Sequence, residues 1–279
     1  MRDILLQIDT YPEATPSEGI EQAVRFTAEV GGILSALAVE VDIRAPRNRV
    51  ADYLIGLSRL AEEEEQKSRR SCAVALEAFS TMAGQAGVLG EAIHGKAGLY
   101  GVGEYVSERS RTRDLCIVPV VHHLDGQRSV LEAVVFGSGR PVLTFRPGVA
   151  DLPGNLGSIV LAWDGTRTAA RAMADALPVL RKASEVRVLT VTNEKPSARS
   201  GLGQDVARHL GAHEVNAVVD EVDADGRRIG LVLKDYLARR RPDLLVMGAY
   251  GRSRAREFIL GGATEHMLHE PGTPLLLSH

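Results

Sequence analysis

The sequence predicts an α/β fold of two tandem, doubly wound, five-stranded parallel-sheet units. Three observations carry that prediction. The chain has 279 residues, about twice the ~100–150 of a typical single domain. Apolar runs of strand length alternate with segments of helical period, the pattern of βαβ units. The alternation occurs twice, with like residues at like places. Apolar residues at 44% and charged residues at 25% are globular averages and exclude a disordered or collagen-like chain.

Taken in order, the first half opens with the strand Asp3–Asp9, whose run Ile4-Leu5-Leu6-Gln7-Ile8 ends in an aspartate. Strands follow at Ile33–Val41, Val88–His94, Leu115–Val121 and Pro141–Phe145. Between the second and third, a long helix is expected from about Arg49 to Gly87, with Val50, Tyr53, Leu54, Leu57, Leu60 and Ala61 on one face. Glu62 to Glu65 then read as a solvated helix face. The second half repeats the order with strands Ser158–Asp164, Glu185–Val191, Ala217–Val222, Asp243–Met247 and Pro274–Leu277.

The halves align. Ile4 to Asp9 matches Ile159-Val160-Leu161-Ala162-Trp163-Asp164, and Asp114-Leu115-Cys116-Ile117-Val118 matches Asp243-Leu244-Leu245-Val246-Met247. Gly139-Arg140-Pro141-Val142-Leu143 matches Gly272-Thr273-Pro274-Leu275-Leu276. Pro147, Gly148, Pro153, Gly154 and Gly157 punctuate the linker between them. The expected units are residues 1–147 and 156–279. They are unequal: Asp9 to Asp114 spans 105 positions against 79 from Asp164 to Asp243, an insertion of 26 in the first half. Asp114 to Pro141 spans 27 against 31 from Asp243 to Pro274, so the second half has four extra residues there.

Those four fall in a glycine-rich stretch, Gly248-Ala249-Tyr250-Gly251 through Arg252, Arg254 and Arg256 to Gly261-Gly262-Ala263-Thr264. A strand ending in Gly-x-x-Gly can present bare backbone N–H groups to a phosphate. The helix opening near Glu265 would add its unsatisfied N–H groups and positive dipole end. A glycine-rich connection with an ordinary helix cap fits the same residues. In such a sheet the ligand crevice lies beyond the carboxyl ends of the strands where their order reverses, which places Asp164 and Gly248 on its walls. Asp164 there suits a hydrogen bond to a nucleoside, or equally a cap on the helix starting near Thr166.

In these residues the chain resembles the universal stress proteins, whose ATP-binding members carry Gly-x-x-Gly, nine residues, then Gly-Ser/Thr. Gly248, Gly251 and Gly261 fit that spacing, and Asp164-Gly165, Val191 and Met247-Gly248 fall in place. The resemblance covers the chain as two tandem units. It implies that Asp164 and Val191 contact the nucleoside of ATP, or of ADP or AMP, with Mg an accompanying ion. The segment from Met247 and Gly248 through Gly251, Arg252, Gly261 and Gly262 to Thr264 would then hold the phosphates. One position departs, Gly262 standing where the family has Ser or Thr. A hydroxyl bond to a charged phosphate is worth ~1.5–3 kcal/mol. The resemblance also implies an intramolecular pseudo-dimer joined through Pro141–Phe145 and Pro274–Leu277, as a monomer or a homodimer of such chains.

The first half keeps Asp9 but follows its fourth strand with His122-His123-Leu124-Asp125-Gly126, with no Gly-x-x-Gly. It is expected to be nucleotide-free. Gly137-Ser138 aligns with the far end of the last helix, not with the phosphate pair.

Other chemistries find little support. Lysine plus arginine at 33 against aspartate plus glutamate at 36 leaves a net charge of −3, without the basic excess of a nucleic-acid binder. Cys72 and Cys116 are too few for a disulfide framework and point to a reducing compartment. His122-His123 has no spaced third metal ligand. Gly98-Leu99-Tyr100-Gly101-Val102-Gly103 is neither the dinucleotide motif nor a Walker loop. No apolar leader or membrane-length run is present, so a cytoplasmic, soluble protein is expected. The expected function is a stress-response regulatory protein that binds an adenine nucleotide and has no catalytic residues. A nucleotide-independent interaction module is the alternative, and a slow ATP hydrolase a third.

Overall fold

Ten strands join into one sheet in the computed structural model, which describes residues 1–43, 57–121, 125–193, 201–249, 262–269 and 272–279. The first half contains β1 (Asp3–Ile8), α1 (Ser17–Val30), β2 (Ile33–Asp42), α2 (Leu57–Gln85), β3 (Leu89–Gly98), α3 (Val102–Ser110), β4 (Leu115–Pro119), α4 (Asp125–Gly137) and β5 (Val142–Phe145). The second contains β6 (Ser158–Ala162), α5 (Arg167–Leu180), β7 (Glu185–Thr192), α6 (Leu202–Ala212), β8 (Ala217–Asp223), α7 (Ile229–Arg240), β9 (Leu244–Gly248), α8 (Gly262–His269) and β10 (Leu275–Ser278).

The strand order is β3-β2-β1-β4-β5-β10-β9-β6-β7-β8. Each half is therefore wound the same way outward from a central seam. All pairings are parallel except that seam, where β5 and β10 run antiparallel with Leu143 opposite Leu276. This is the expected junction of the two last strands. In each half the order reverses between the first strand and the fourth, at β1/β4 and β6/β9, and there the crevices must lie.

Period-two alternation splits the core. Ile4, Leu6 and Ile8 point to one face with Phe26 of α1, Phe79 of α2, Ala172 of α5 and Leu210 of α6. Leu5 points to the other, with Val106 of α3, Leu131 of α4, Leu233 of α7 and Met267 of α8. A sheet covered on both faces reads as continuous apolar runs, and all five β4 residues are buried. Only the outer strands β3 and β8 alternate toward solvent.

The aspartates repeated before the fourth strands have a structural use. Asp243 Oδ2 accepts hydrogen bonds from the Gly157 and Ser158 amides at 2.8 Å each, and Asp114 Oδ2 does the same for Arg2 at 2.7 Å and Asp3 at 3.2 Å. Both pin the start of the first strand to the start of the fourth. These backbone bonds hold the Asp114 carboxyl below the usual carboxylate range.

The long helix corrects one expectation. Val50, Tyr53 and Leu54 lie outside the described residues, while Leu60 is 47% exposed. The buried stripe of α2 is instead Cys72, Ala75, Phe79 and Ala83, spaced three or four apart. The acidic run lies upstream of that stripe, so the helix earns its burial in its second half. Cys72 and Cys116 are buried free thiols, with burial pushing them up to about 11 and about 12. Both are core residues.

Candidate functional site

In the second half, β6 ends at Ala162 and the chain turns through Gly165 at φ +74°, a conformation that suits glycine. Thr166 is the N-cap of α5, its side chain accepting the Ala169 amide at 3.2 Å. Asp164 is exposed, and its Oδ1 accepts from the Thr166 amide at 3.0 Å and the Thr166 hydroxyl at 2.6 Å. Asp164 is therefore not itself the cap. It orients the cap with one oxygen, and Oδ2 has no partner among the described residues. Thr166 Oγ1 lies 3.2 Å from Thr168 Oγ1, so a carboxylate and two hydroxyls form a chain along the helix start.

Gly248 closes the other side. A Cβ there would stand 2.5 Å from the Ala169 amide nitrogen and 2.7 Å from Thr168 Oγ1. The glycine is thus required by the close approach of α5 to the end of β9, apart from any ligand. That contact brings Asp164, Thr166, Thr168 and Gly248 together, as the switch-point argument expects. Thr168 is the member that sequence reasoning passed over, although a second threonine two places after the cap was its signal.

The remaining candidates are distributed otherwise. Val191 is half-buried on β7, opposite Val222. Met247 is 5% exposed and belongs to the same core cluster as Ala249 and Met267, so its side chain is a core residue. Gly262 is exposed at the first residue of α8, and a Cβ there would meet none of the described residues within 4 Å. Thr264, two residues on, is buried at 3% exposure. Gly251, Arg252 and Gly261, with Arg254 and Arg256, lie outside the described residues, as do His122 and His123.

The first-half crevice is filled by the protein itself. Asp9 is 7% exposed. Gln7 Nε2 donates to its Oδ1 at 2.6 Å, Gln127 Nε2 from α4 donates to Oδ2 at 2.8 Å, and its amide donates to Thr15 Oγ1 at 2.9 Å. Gln127 also accepts the Val121 amide at 3.0 Å, which ties the segment after β4 over the crevice. Burial pushes the Asp9 carboxyl up to about 6 despite the two glutamine donors. Gln7 Oε1, also buried, has no partner among the described residues. A second buried carboxylate in this half, Glu40, is shifted the other way, to about 2, by its hydrogen bonds to Arg69 and Lys96.

Among the described residues no group of three or more His, Cys, Asp or Glu is placed to hold a metal ion. Among them no helix is long and apolar enough to cross a membrane.

Comparison with known proteins covers the two halves differently for sequence and for fold. The model of the universal stress protein family matches residues 156–279. No curated protein matches the sequence. Among solved structures, a universal stress protein from Archaeoglobus fulgidus DSM 4304 has a TM-score of 0.67 at 16% identity, covering 98% of this chain and 95% of that one. A functionally unknown protein from Pseudomonas aeruginosa PAO1 has a TM-score of 0.53 at 14% identity, covering 98% and 92%. At such identities the likeness is one of fold, and it extends over both halves.

Proposed function

We propose that this chain binds ATP, or the related ADP or AMP, in its second half and serves as a stress-response regulatory protein, its first half a diverged copy that has lost the site. The observation that carries the proposal is the contrast between the crevices: Asp164 has one carboxylate oxygen without a partner among the described residues, whereas both oxygens of Asp9 are consumed by glutamines. The match of residues 156–279 to the universal stress protein family supports the same assignment. In this reading Asp164 and Val191 meet the nucleoside, and Gly248, Gly251, Arg252, Gly261, Gly262 and Thr264 surround the phosphates. Mg²⁺ is carried largely by nucleotide phosphates and needs only one or two carboxylates, which a site with Asp164 satisfies.

The test is thermal unfolding with and without Mg-ATP, joined to calorimetry for stoichiometry. One nucleotide per chain is expected, with stabilisation of about 2.7 kcal/mol at ~100 times Kd. Gly251→Phe and Gly261→Phe should abolish it, whereas Gly211→Ala, where a Cβ meets nothing within 4 Å, should not. Absence of any shift at millimolar ATP would replace this reading with a nucleotide-independent interaction module. Multiple-turnover phosphate release, lost in Asp164→Asn while binding persists, would make the protein an enzyme. Mass spectrometry of co-purifying nucleotide identifies the ligand directly.

A further inference from the structure

We propose that the first half carries a ligand site of its own, a groove between the opening turn of α1 and the middle of α2 that takes a small amphipathic anion, a carboxylate on a short aliphatic body. The groove encloses about 280 Å³, room for about nine non-hydrogen atoms at the ~30 Å³ a water molecule occupies in the liquid. Ile20 and Ala75, both buried, make an apolar floor, and Ala78 and Val74 continue it along α2, with Val74 68% exposed.

The charged groups lining it are of one sign. Lys67 and Arg70 stand three residues apart on α2, one turn of helix, so their head groups border the same stretch. No aspartate or glutamate lines the groove among the described residues. Lys67 lies 3.7 Å from Glu64, an exposed pair of small worth, and Arg70 makes no ion pair among the described residues. A guanidinium fork matches a carboxylate in two parallel hydrogen bonds, and the ammonium adds a point charge. An uncharged ligand with the same body would use the floor and leave both cations to water.

The groove is made from the elements that set the two halves apart. α2 has 29 residues where its counterpart α6 has 11. The loop from β1 to α1 occupies residues 9–16 where the loop from β6 to α5 occupies only 163–166. Thr15, on that longer loop, lines the groove while its hydroxyl receives the Asp9 amide. The inserted residues of the first half thus build a concave site on the α1/α2 face, distinct from the filled crevice and independent of nucleotide binding.

Calorimetric titration of the full-length protein with octanoate, and separately with 1-octanol, tests the proposal. Octanoate should bind about tenfold or more tightly than octanol, the increment of one hydrogen-bonded charge. Lys67→Gln combined with Arg70→Gln should remove that advantage while leaving octanol unchanged. Val74→Glu, at a position 68% exposed, should weaken both ligands and octanoate the more, since it adds a like charge as well as removing floor, and Ala78→Phe should exclude both ligands by filling the groove. Equal affinity for octanoate and octanol, wild-type octanoate binding in the charge-neutral double variant, or no octanoate binding at all overturns the proposal.

Discussion

Two aspartates end the same strand in the two halves, and only one of them is open. Asp9 is buried with both oxygens occupied, and Asp164 is exposed with one in use. The aspartate is common to both, so the difference lies in what surrounds it. Gln7 stands where the second half has Ala162, and Gln127 reaches in from α4. The helix-strand contact beside the crevice is exchanged as well. In the second half Gly248 on the strand admits Ala169 on the helix; in the first, Gly19 at the same place in α1 faces Pro119 at the same place in β4, 3.8 Å from where its Cβ would be. The first-half contact is an ordinary van der Waals one, and Gly19 is tighter against Pro147 at 3.1 Å and Thr15 at 3.3 Å.

The largest expected effect tests that exchange. Gly248→Val drives a side chain into the Thr168–Ala169 backbone and should cost ~3 kcal/mol or more, whereas Gly19→Ala meets side-chain atoms at 3.1 Å and beyond and should cost about 1 kcal/mol, by the scale of overpacked cores. Urea unfolding of the two variants decides; equal losses would break the comparison.

Next in size is the ionisation of Asp9. Its folded-state value, about 6, lies above its unfolded value, so the ionised form is penalised in the native state. Stability should fall as pH rises from about 4 to about 6 and then stay flat, a change approaching ~3 kcal/mol. Asp9→Asn removes the penalty, and turning the Gln7 amide lets its unpaired Oε1 receive the new NH₂. Urea midpoints from pH 4 to 8 should therefore lose this slope in the variant, and a slope that persists would show that Asp9 does not carry it.

Gly262→Ser sharpens the open side. No described residue obstructs a side chain at this exposed position, so the hydroxyl should raise ATP affinity roughly 10- to 100-fold, read by calorimetry. An unchanged affinity would remove the start of α8 from the phosphate site. The smallest effect concerns Glu40, whose carboxylate is 2.9 Å from Arg69, 3.2 Å from Lys96 and 3.3 Å from His94. Because Arg69 and Lys96 are half-exposed, Glu40→Gln should cost about 1 kcal/mol at pH 7. Glu40 acts opposite to Asp9: its contribution is present above its unfolded value and lost as pH falls toward about 2.

Much of the architecture is legible in the chain because period and punctuation are local. The apolar runs opening at Ile4, Leu115, Ile159 and Leu244 lie in strands, and the paired aspartates mark matching places in the two halves. Spacing places Leu60 on one helical face, yet it is exposed, because spacing alone is compatible with more than one buried face and packing against β2 and α1 selects Cys72, Ala75 and Phe79. The site was half legible. Asp164 and Gly248 could be named from strand ends, but the burial of Met247 and Thr264 depends on what packs above them.

By itself the sequence determined the α/β class, the matching strand and aspartate pattern of the two halves, and the unequal lengths that put a glycine-rich stretch in one half and a long helix in the other. These follow from residue types that act within a few positions of themselves. Only the tertiary structure decided that Gln127 closes the first crevice over Asp9 across 118 residues of chain, that Gly248 is held against α5, and that Lys67 and Arg70 border a groove facing α1. Those outcomes depend on which side chains meet across the sheet and its covering helices. Burial and hydrogen bonding between distant segments are set there, and no local period encodes them.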